Sequence, residues 1–179
     1  MWVLLLYVPI ILGVGFFFWA MVGSFRTEAP YVPTGRKDTG AILKIAQMRP
    51  GEVFFDLGSG DGRFVRAAAR LGARAIGIEQ SWTLVAWSKM VWWLTPGARS
   101  QGSALFIRGN FLKRDLRDAD IIFCYLMPKA MEKLKPKFER ELRPGTRILS
   151  RAFKVPGWVP GERLMFGKRG PPVYRYTKS

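Results

Sequence analysis

The feature that most constrains the fold of this chain is a glycine-rich loop between a strand-like and a helix-like segment. The sequence predicts a short apolar strand over 53–57 and a helix over 62–71, and the loop between them reads Asp56-Leu57-Gly58-Ser59-Gly60-Asp61-Gly62. Glycines allow a tight turn and let backbone amides approach a ligand with no Cβ in the way. The alternative, a loop that uses glycine only for turning, does not explain three alternating glycines with flanking acids. We therefore predict that residues 56–62 bind a ligand.

The rest of the chain alternates between strand-like and helix-like segments, which is typical of a parallel sheet with crossover helices. The last two strand-like segments follow each other directly and predict an antiparallel pair. The fold class predicted is therefore α/β, a Rossmann-like mostly parallel sheet with a C-terminal antiparallel strand pair. The further strands are predicted at 75–78, 104–107, 121–126, 147–151, 164–166 and 173–176, and the further helices at 39–48 (with Asp38 as its cap), 81–94 and 128–142.

The first 25 residues contain no charged side chain. A helix needs roughly 20 residues to cross the hydrocarbon core of a membrane. A cleavable signal peptide would have a basic start, a shorter apolar run and a small-residue cleavage site, and none of these is present. We predict a transmembrane anchor over 1–25, a linker over 26–37 and a folded domain over 38–179. Because basic residues follow the run and none precedes it, the domain is expected on the cytoplasmic side of the membrane.

The composition excludes several kinds of catalytic site. The chain has no histidine and a single cysteine, Cys124. This rules out a Ser-His-Asp triad, a Cys-His pair, an intrachain disulfide and a cysteine-cluster metal site, and we predict no metal. The net charge is +16, and residues 129–179 hold 14 basic and 4 acidic side chains. Such a field attracts anionic lipid or nucleic acid, and the apolar N-terminal run favours the membrane.

A second acid lies where a nucleoside ligand would need it. Glu79 ends the second predicted strand, 23 residues after Asp56, and an acid near that spacing accepts hydrogen bonds from ribose hydroxyls in Rossmann-type sites. Trp82 is placed to lie against an adenine, although a structural role is the alternative. The glycine spacing is G-x-G-x-G, whereas dinucleotide sites favour G-x-G-x-x-G.

Residues 53–63 closely resemble motif I of the class I S-adenosylmethionine-dependent methyltransferases. The resemblance implies S-adenosyl-L-methionine as the cofactor, with Glu79 on the ribose and Asn110-Phe111 near the adenine. The family usually has an acid where Asn110 stands. Motif IV corresponds to Cys124-Tyr125-Leu126 and lacks the sequence that adenine or glutamine methyltransferases use. The implied cofactor-binding residues are Asp56, Gly58, Ser59, Gly60, Asp61, Gly62, Glu79, Gln80, Asn110 and Phe111.

A narrower resemblance covers nearly the whole chain. The apolar run, the Tyr31-Val32-Pro33-Thr34 segment, the glycine loop, Tyr125-Leu126 and the Leu142–Thr146 segment follow the order of the membrane-tethered protein lysine methyltransferases. Mitochondrial members of that group modify the ATP synthase c-subunit and the adenine nucleotide translocase, and prokaryotic relatives exist. The resemblance implies methylation of a lysine in a membrane or membrane-associated protein.

Candidates for orienting the lysine amine are Tyr31, Thr34 and Tyr125, with a packing role as the alternative for each. Three other functions remain open on the sequence. They are methylation of a small membrane-soluble molecule such as a quinone or lipid, methylation of RNA gripped by the basic C-terminal third, and a non-catalytic cofactor-binding module.

Overall fold

The computed structural model describes residues 15, 35–95, 101–166 and 170–179. The predicted anchor, apart from Gly15, lies outside the described residues, as does most of the predicted linker. None of the helices in the described part of the chain has both the length and the hydropathy needed to span a bilayer. All the elements below belong to one unit, 33–179.

Four helices and seven strands lie in the described residues of this unit. The helices are α1 (Arg36–Ile45), α2 (Arg63–Arg70), α3 (Trp82–Trp93) and α4 (Pro128–Glu141), and a short 3₁₀ helix covers Phe111–Lys113. The strands are β1 (Val53–Leu57), β2 (Arg74–Glu79), β3 (Ser103–Arg108), β4 (Ile121–Cys124), β5 (Arg147–Arg151), β6 (Glu162–Leu164) and β7 (Val173–Thr177).

The strands make one sheet in the order β3-β2-β1-β4-β5-β7-β6. The first five strands in that order run parallel to one another, whereas β7 runs antiparallel to both β5 and β6. The predicted α/β fold, a Rossmann-like mostly parallel sheet closed by an antiparallel strand pair, is therefore confirmed.

The strand order places the predicted ligand loop at the point where the topology reverses. β1 has β2 on one side and β4 on the other, so the connections after β1 and β4 diverge at their carboxyl ends. Ligands of open α/β sheets bind in the crevice that this divergence leaves. The glycine loop follows β1, and Tyr125 follows β4 directly. Both therefore lie at the edge of the sheet where a ligand is expected.

Helices α1, α2 and α3 share one apolar core with the sheet. In the centre of that core the ring of Phe64 stacks on the ring of Phe123, with centroids 3.9 Å apart. Side chains alternate between the two faces of a strand, so Cys124 points to the opposite face. There its Sγ lies 3.8 Å from Sδ of Met131, which shows that α4 covers that side.

Three local predictions were wrong. The side chain of Asp38 does not cap α1, because the helix begins at Arg36 and no side chain caps it. β6 covers Glu162–Leu164 rather than 164–166, since its register on β7 pairs Leu164 with Val173. β4 ends at Cys124, so Tyr125 lies in the connection beyond the strand.

Candidate cofactor and substrate site

The glycine loop takes a backbone path that favours glycine at three positions. Gly58, Gly60 and Gly62 have φ values of +79°, +53° and +72°, in the left-handed region where a Cβ is unfavourable. The N–H groups of Gly58 and Ser59 both donate to the carbonyl of Ile78, at 2.9 and 3.1 Å. These two bonds attach the start of the loop to β2.

The last glycine of the loop is also required by packing. A Cβ at Gly62 would lie 2.5 Å from Cε1 of Phe106 and 2.8 Å from Oγ of Ser88. The same Ser88 hydroxyl donates to the carbonyl of Gly60 at 3.3 Å. Helix α3 therefore contacts the loop directly through Ser88, and a side chain at position 62 would push the helix and the loop apart.

The carboxylate of Glu79 binds the loop directly. Its Oε2 accepts the N–H of Gly60 at 3.0 Å, and its Oε1 accepts the N–H of Ser81 at 2.8 Å. A carboxylate has about four lone-pair positions, so each oxygen retains acceptor capacity. Glu79 is half-buried at the carboxyl end of β2, where its remaining lone pairs are available to two vicinal hydroxyls, and the ribose contact itself stays a prediction.

Three acids meet around this loop. Asp56 is only 2% exposed, and burial raises its pKa well above the ordinary value, with a further rise from the negative charges of Glu79 and Asp61. Burial also acts to raise the pKa of Asp61, but hydrogen bonds and charge from Arg63 outweigh it and the pKa is lowered. The ion pair between Asp61 and Arg63 measures 2.8 Å. The site thus brings three carboxyl groups together, of which Asp61 is balanced by Arg63.

The carboxyl groups around the loop indicate which of two nucleoside cofactors these residues fit. S-adenosyl-L-methionine carries a sulfonium and an ammonium group, and both cations are complementary to buried carboxylates. The pyrophosphate of a dinucleotide would bring two negative charges to the same place, where like charges repel. Together with the acceptors of Glu79, the acid cluster fits S-adenosyl-L-methionine and disfavours NAD.

Two of the predicted cofactor-binding residues, Ser59 and Gln80, differ in how deeply they are buried. Ser59 is buried, and its Oγ occupies the space that a Cβ at Gly77 would need, at 2.7 Å. The side chain of Ser59 therefore packs against β2, and its backbone is engaged too, since its N–H donates to Ile78 and its carbonyl accepts the N–H of Gly62. Gln80 follows Glu79 and is half-buried at the same edge of the sheet.

The predicted adenine segment forms the 3₁₀ helix after β3. Oδ1 of Asn110 accepts the N–H of Leu112 at 2.9 Å and so caps that helix. Phe111 is 5% exposed and packs into the protein. One lone pair of the Asn110 oxygen is therefore engaged, and its second lone pair and its amide N–H₂ group are the parts left to meet a ligand.

Tyr125 lies on the other side of the crevice, beside a buried cation. Cζ of Arg151 sits 5.6 Å from the centroid of the Tyr125 ring, and Nη2 of Arg151 pairs with Oδ2 of Asp38 at 2.9 Å. Nε and Nη1 of Arg151 are buried and have no hydrogen-bond partner in the described part of the protein. Tyr31 and Thr34, the other two predicted amine-orienting residues, lie outside the described residues.

Sequence reasoning missed two residues that shape the site. Arg151 ends β5 in a run that reads as an ordinary strand, and nothing local indicates its partner 113 positions earlier. Ser88 lies three residues after the buried Val85 on the inner side of α3. No sequence signal marks this hydroxyl as buried, because α3 is apolar on most of its circumference.

Residues 56–162 match the family described as the ANTKMT methyltransferase domain. A protein-lysine N-methyltransferase of Saccharolobus islandicus is 34% identical over 161 residues, which cover 86% of this chain and 96% of the relative. The mouse adenine nucleotide translocase lysine N-methyltransferase is 35% identical over 75% of this chain, and the human ATP synthase c-subunit lysine N-methyltransferase is 34% identical over 73%. The chain spans 58% and 54% of the length of these two mammalian proteins.

A solved structure with the same fold is that of an RNA methyltransferase from Salinibacter ruber in complex with S-adenosyl-L-homocysteine. It is 33% identical, has a TM-score of 0.75, and the match covers 82% of this chain and 93% of that one. The resemblance to S-adenosylmethionine-dependent protein lysine methyltransferases drawn from the sequence is confirmed. The chain belongs to the ANTKMT methyltransferase family.

Proposed function

We propose that this chain transfers the methyl group of S-adenosyl-L-methionine to a lysine side chain of a membrane or membrane-associated protein. The observation that carries the proposal is the cluster of Asp56, Glu79 and Asp61 around the glycine loop, which suits a cationic cofactor. The protein-lysine methyltransferases among the relatives support the acceptor.

The cofactor supplies an activated methyl group, so the protein has mainly to position the two reactants. Glu79 would hold the ribose, and the glycine loop together with Asp56 would surround the methionine end. A lysine amine has an ordinary pKa near 10.4 and reacts only after losing its proton. Removal of water from around an amine disfavours its positive charge, so burial in the crevice would favour the neutral amine without a histidine. Arg151, at the face of Tyr125, adds little to this effect because its charge is balanced by Asp38. Tyr125, Tyr31 and Thr34 are the candidates for orienting the amine.

The membrane part of the proposal rests on the sequence. Residues 1–25 are uncharged and suffice for one transmembrane helix. We place the linker at 26–37 and the catalytic domain at 38–179, on the cytoplasmic side. The ten linker residues before α1, which begins at Arg36, reach at most about 36 Å when fully extended, which would keep the site close to the bilayer and to substrates there.

RNA methylation is the second candidate. It is favoured by the similarity to the Salinibacter ruber RNA methyltransferase and by the net charge of +10 over residues 129–179, where 14 basic side chains face 4 acidic ones. Nucleic acid would bind that region through its phosphates.

The test is label transfer. The full chain is incubated with membranes, RNA and S-adenosylmethionine labelled in its methyl group, and the protein, lipid and RNA fractions are separated and counted. We expect label in protein, on lysine after hydrolysis. Glu79→Ala should abolish it, whereas Glu132→Ala, a matched change at an exposed position of α4, should not. Label confined to RNA or to the organic extract would overturn the lysine proposal.

A further inference from the structure

Helix α3 exposes large apolar side chains to solvent. Trp87 is 52% exposed, Met90 45%, Trp93 69% and Leu94, its C-terminal cap, 59%. Only Val85 and Ser88 of this helix are buried. A surface helix normally places its apolar side chains inward and polar ones outward, so α3 has the reverse arrangement on its outer face.

The exposed side chains form one continuous strip. Successive residues of a helix are rotated by about 100°, which places Trp93, Ala86, Met90, Leu94 and Trp87 in that order across an arc of about 120°. We call these five residues the α3 strip. Ala86 is also exposed. The single charge on the helix, Lys89, lies at the edge of this arc.

The charged residues in the segment that carries the strip are all basic. No acidic residue occurs between Glu79 and Asp115, whereas five basic ones do. Of these five, Lys89, Arg108, Lys113 and Arg114 are exposed in the structure. A strip of tryptophan, methionine and leucine with Lys89 beside it, in a segment whose other charges are also basic, is complementary to the interface of a bilayer, where indole rings favour the headgroup level and basic side chains favour anionic lipid.

We propose that the α3 strip docks on an anionic lipid bilayer, with the indoles of Trp87 and Trp93 inserted at the headgroup level. The charge complementarity argues for lipid as the occupant, as does the uncharged run of 25 residues upstream, which would bring a bilayer within reach. This docking does not depend on the methyl-transfer proposal. It is also separate from anchoring, because a tether alone leaves the domain free to turn in water.

The test measures depth at one position of the strip. Ala86→Cys introduces an exposed thiol without removing an indole, and Glu132→Cys on α4, on the other side of the sheet, is the matched control. The native Cys124 is fully buried, and burial raises the pKa of its thiol to about 12, so a nitroxide reagent attaches only to the introduced cysteine. The labelled full chain is reconstituted in vesicles of phosphatidylcholine and phosphatidylserine, and power saturation compares collisions with oxygen and with a water-soluble nickel chelate.

We expect the label at 86 to collide with the nickel chelate several-fold less, and with oxygen more, than the label at 132. Adding Trp87→Ser and Trp93→Ser should return position 86 to the aqueous values, while binding of S-adenosylhomocysteine stays unchanged and reports an intact fold. Equal nickel accessibility at 86 and 132 would overturn the proposal. So would shielding at 86 that depends on protein concentration and persists in lipid-free detergent, since a second copy of the chain would then be the occupant.

Discussion

The backbone N–H of Gly60 donates a 3.0 Å hydrogen bond to Oε2 of Glu79 and so joins the glycine loop to the carboxyl end of β2. The other oxygen of the same carboxylate accepts the N–H of Ser81, whose side chain caps α3. One carboxylate therefore fixes the loop, the strand end and the helix start before any ligand arrives, which reduces the ordering cost of binding.

Replacing Glu79 should weaken cofactor binding more than its ligand contacts alone would suggest. Glu79→Ala removes the ribose acceptor and leaves the N–H groups of Gly60 and Ser81 without their partner. A hydrogen bond to a charged group contributes about 1.5–3 kcal/mol, so each bond lost to the ribose costs about tenfold or more in Kd. The two internal bonds are lost from the free protein as well, and they add to Kd only through the cost of ordering the loop on binding. Titration calorimetry with S-adenosylhomocysteine measures the loss, and Glu132→Ala is the control. An unchanged Kd for Glu79→Ala would contradict this role.

The stability of the protein should depend on pH through Asp56. In the unfolded chain this carboxyl titrates near its ordinary value of 3.8, whereas burial raises the pKa in the folded state. Above the unfolded value and up to the raised one, the folded state binds more protons, so this group's contribution to stability falls as pH rises.

The amide introduced by Asp56→Asn does not titrate, so the stability of this variant should not show the decrease with pH that Asp56 causes. The free energy of unfolding of Asp56→Asn minus that of the unmodified protein should therefore increase from about pH 4 upward, by at most about 1.4 kcal/mol per pH unit. Urea unfolding at a series of pH values measures it. Asp115→Asn is the control of opposite sign, because Arg117 lowers the pKa of the exposed Asp115 to about 2. Parallel pH profiles for the unmodified protein and Asp56→Asn would show that Asp56 does not titrate as described.

Gly62→Ala should destabilise the protein by about 3 kcal/mol, because it combines a left-handed φ with a clash against Phe106 and Ser88. Gly145→Ala separates the two effects. Gly145 has a φ of +90° with nothing within 4 Å of the added Cβ, so only the backbone cost of about 1 kcal/mol is expected there. Urea unfolding compares the two variants, and equal losses would mean that α3 yields to the new methyl group.

The ion pair between Asp38 and Arg151 should respond unequally to loss of its two partners. Asp38→Asn leaves a buried guanidinium without its counter-charge, which costs about 3 kcal/mol. Arg151→Met removes a buried guanidinium whose Nε and Nη1 have no partner among the described residues. The Asp38 carboxylate that it leaves behind is one-third exposed and can be hydrated, so the loss should be smaller, about 1 kcal/mol. Thermal or urea unfolding measures both, and a larger loss for Arg151→Met would contradict the argument.

The elements that could be predicted from the sequence are those whose pattern is local. The apolar run before Asp56, the glycines after it and the Pro128 start of α4 each specify their own conformation. The predicted bounds of the edge strand β6 were two residues too late, because the position of this strand depends on its pairing with β7, which no local pattern encodes.

Long-range partners account for the other differences. Asp38 precedes the predicted helix start as a cap would, but its carboxylate pairs with Arg151 across the fold. Helix α3 is apolar on most of its circumference, so hydrophobic periodicity could not indicate which side faces the core. The loop residues, by contrast, lie where the sequence predicted, because the strand order brings Asp56 and Glu79 to the same edge of the sheet.

Helix α3 crosses back from the carboxyl end of β2 to the start of β3, so its axis runs roughly along the strands. A domain resting on the α3 strip would lie on its side, with the strands parallel to the lipid surface. The crevice at the carboxyl ends of β1 and β4 would then open in a direction parallel to the lipid surface, close to the headgroups. The acceptor lysine would then lie only a few residues outside the membrane. This position favours substrates with a short loop at the surface over substrates with a long tail and over segments embedded in the hydrocarbon.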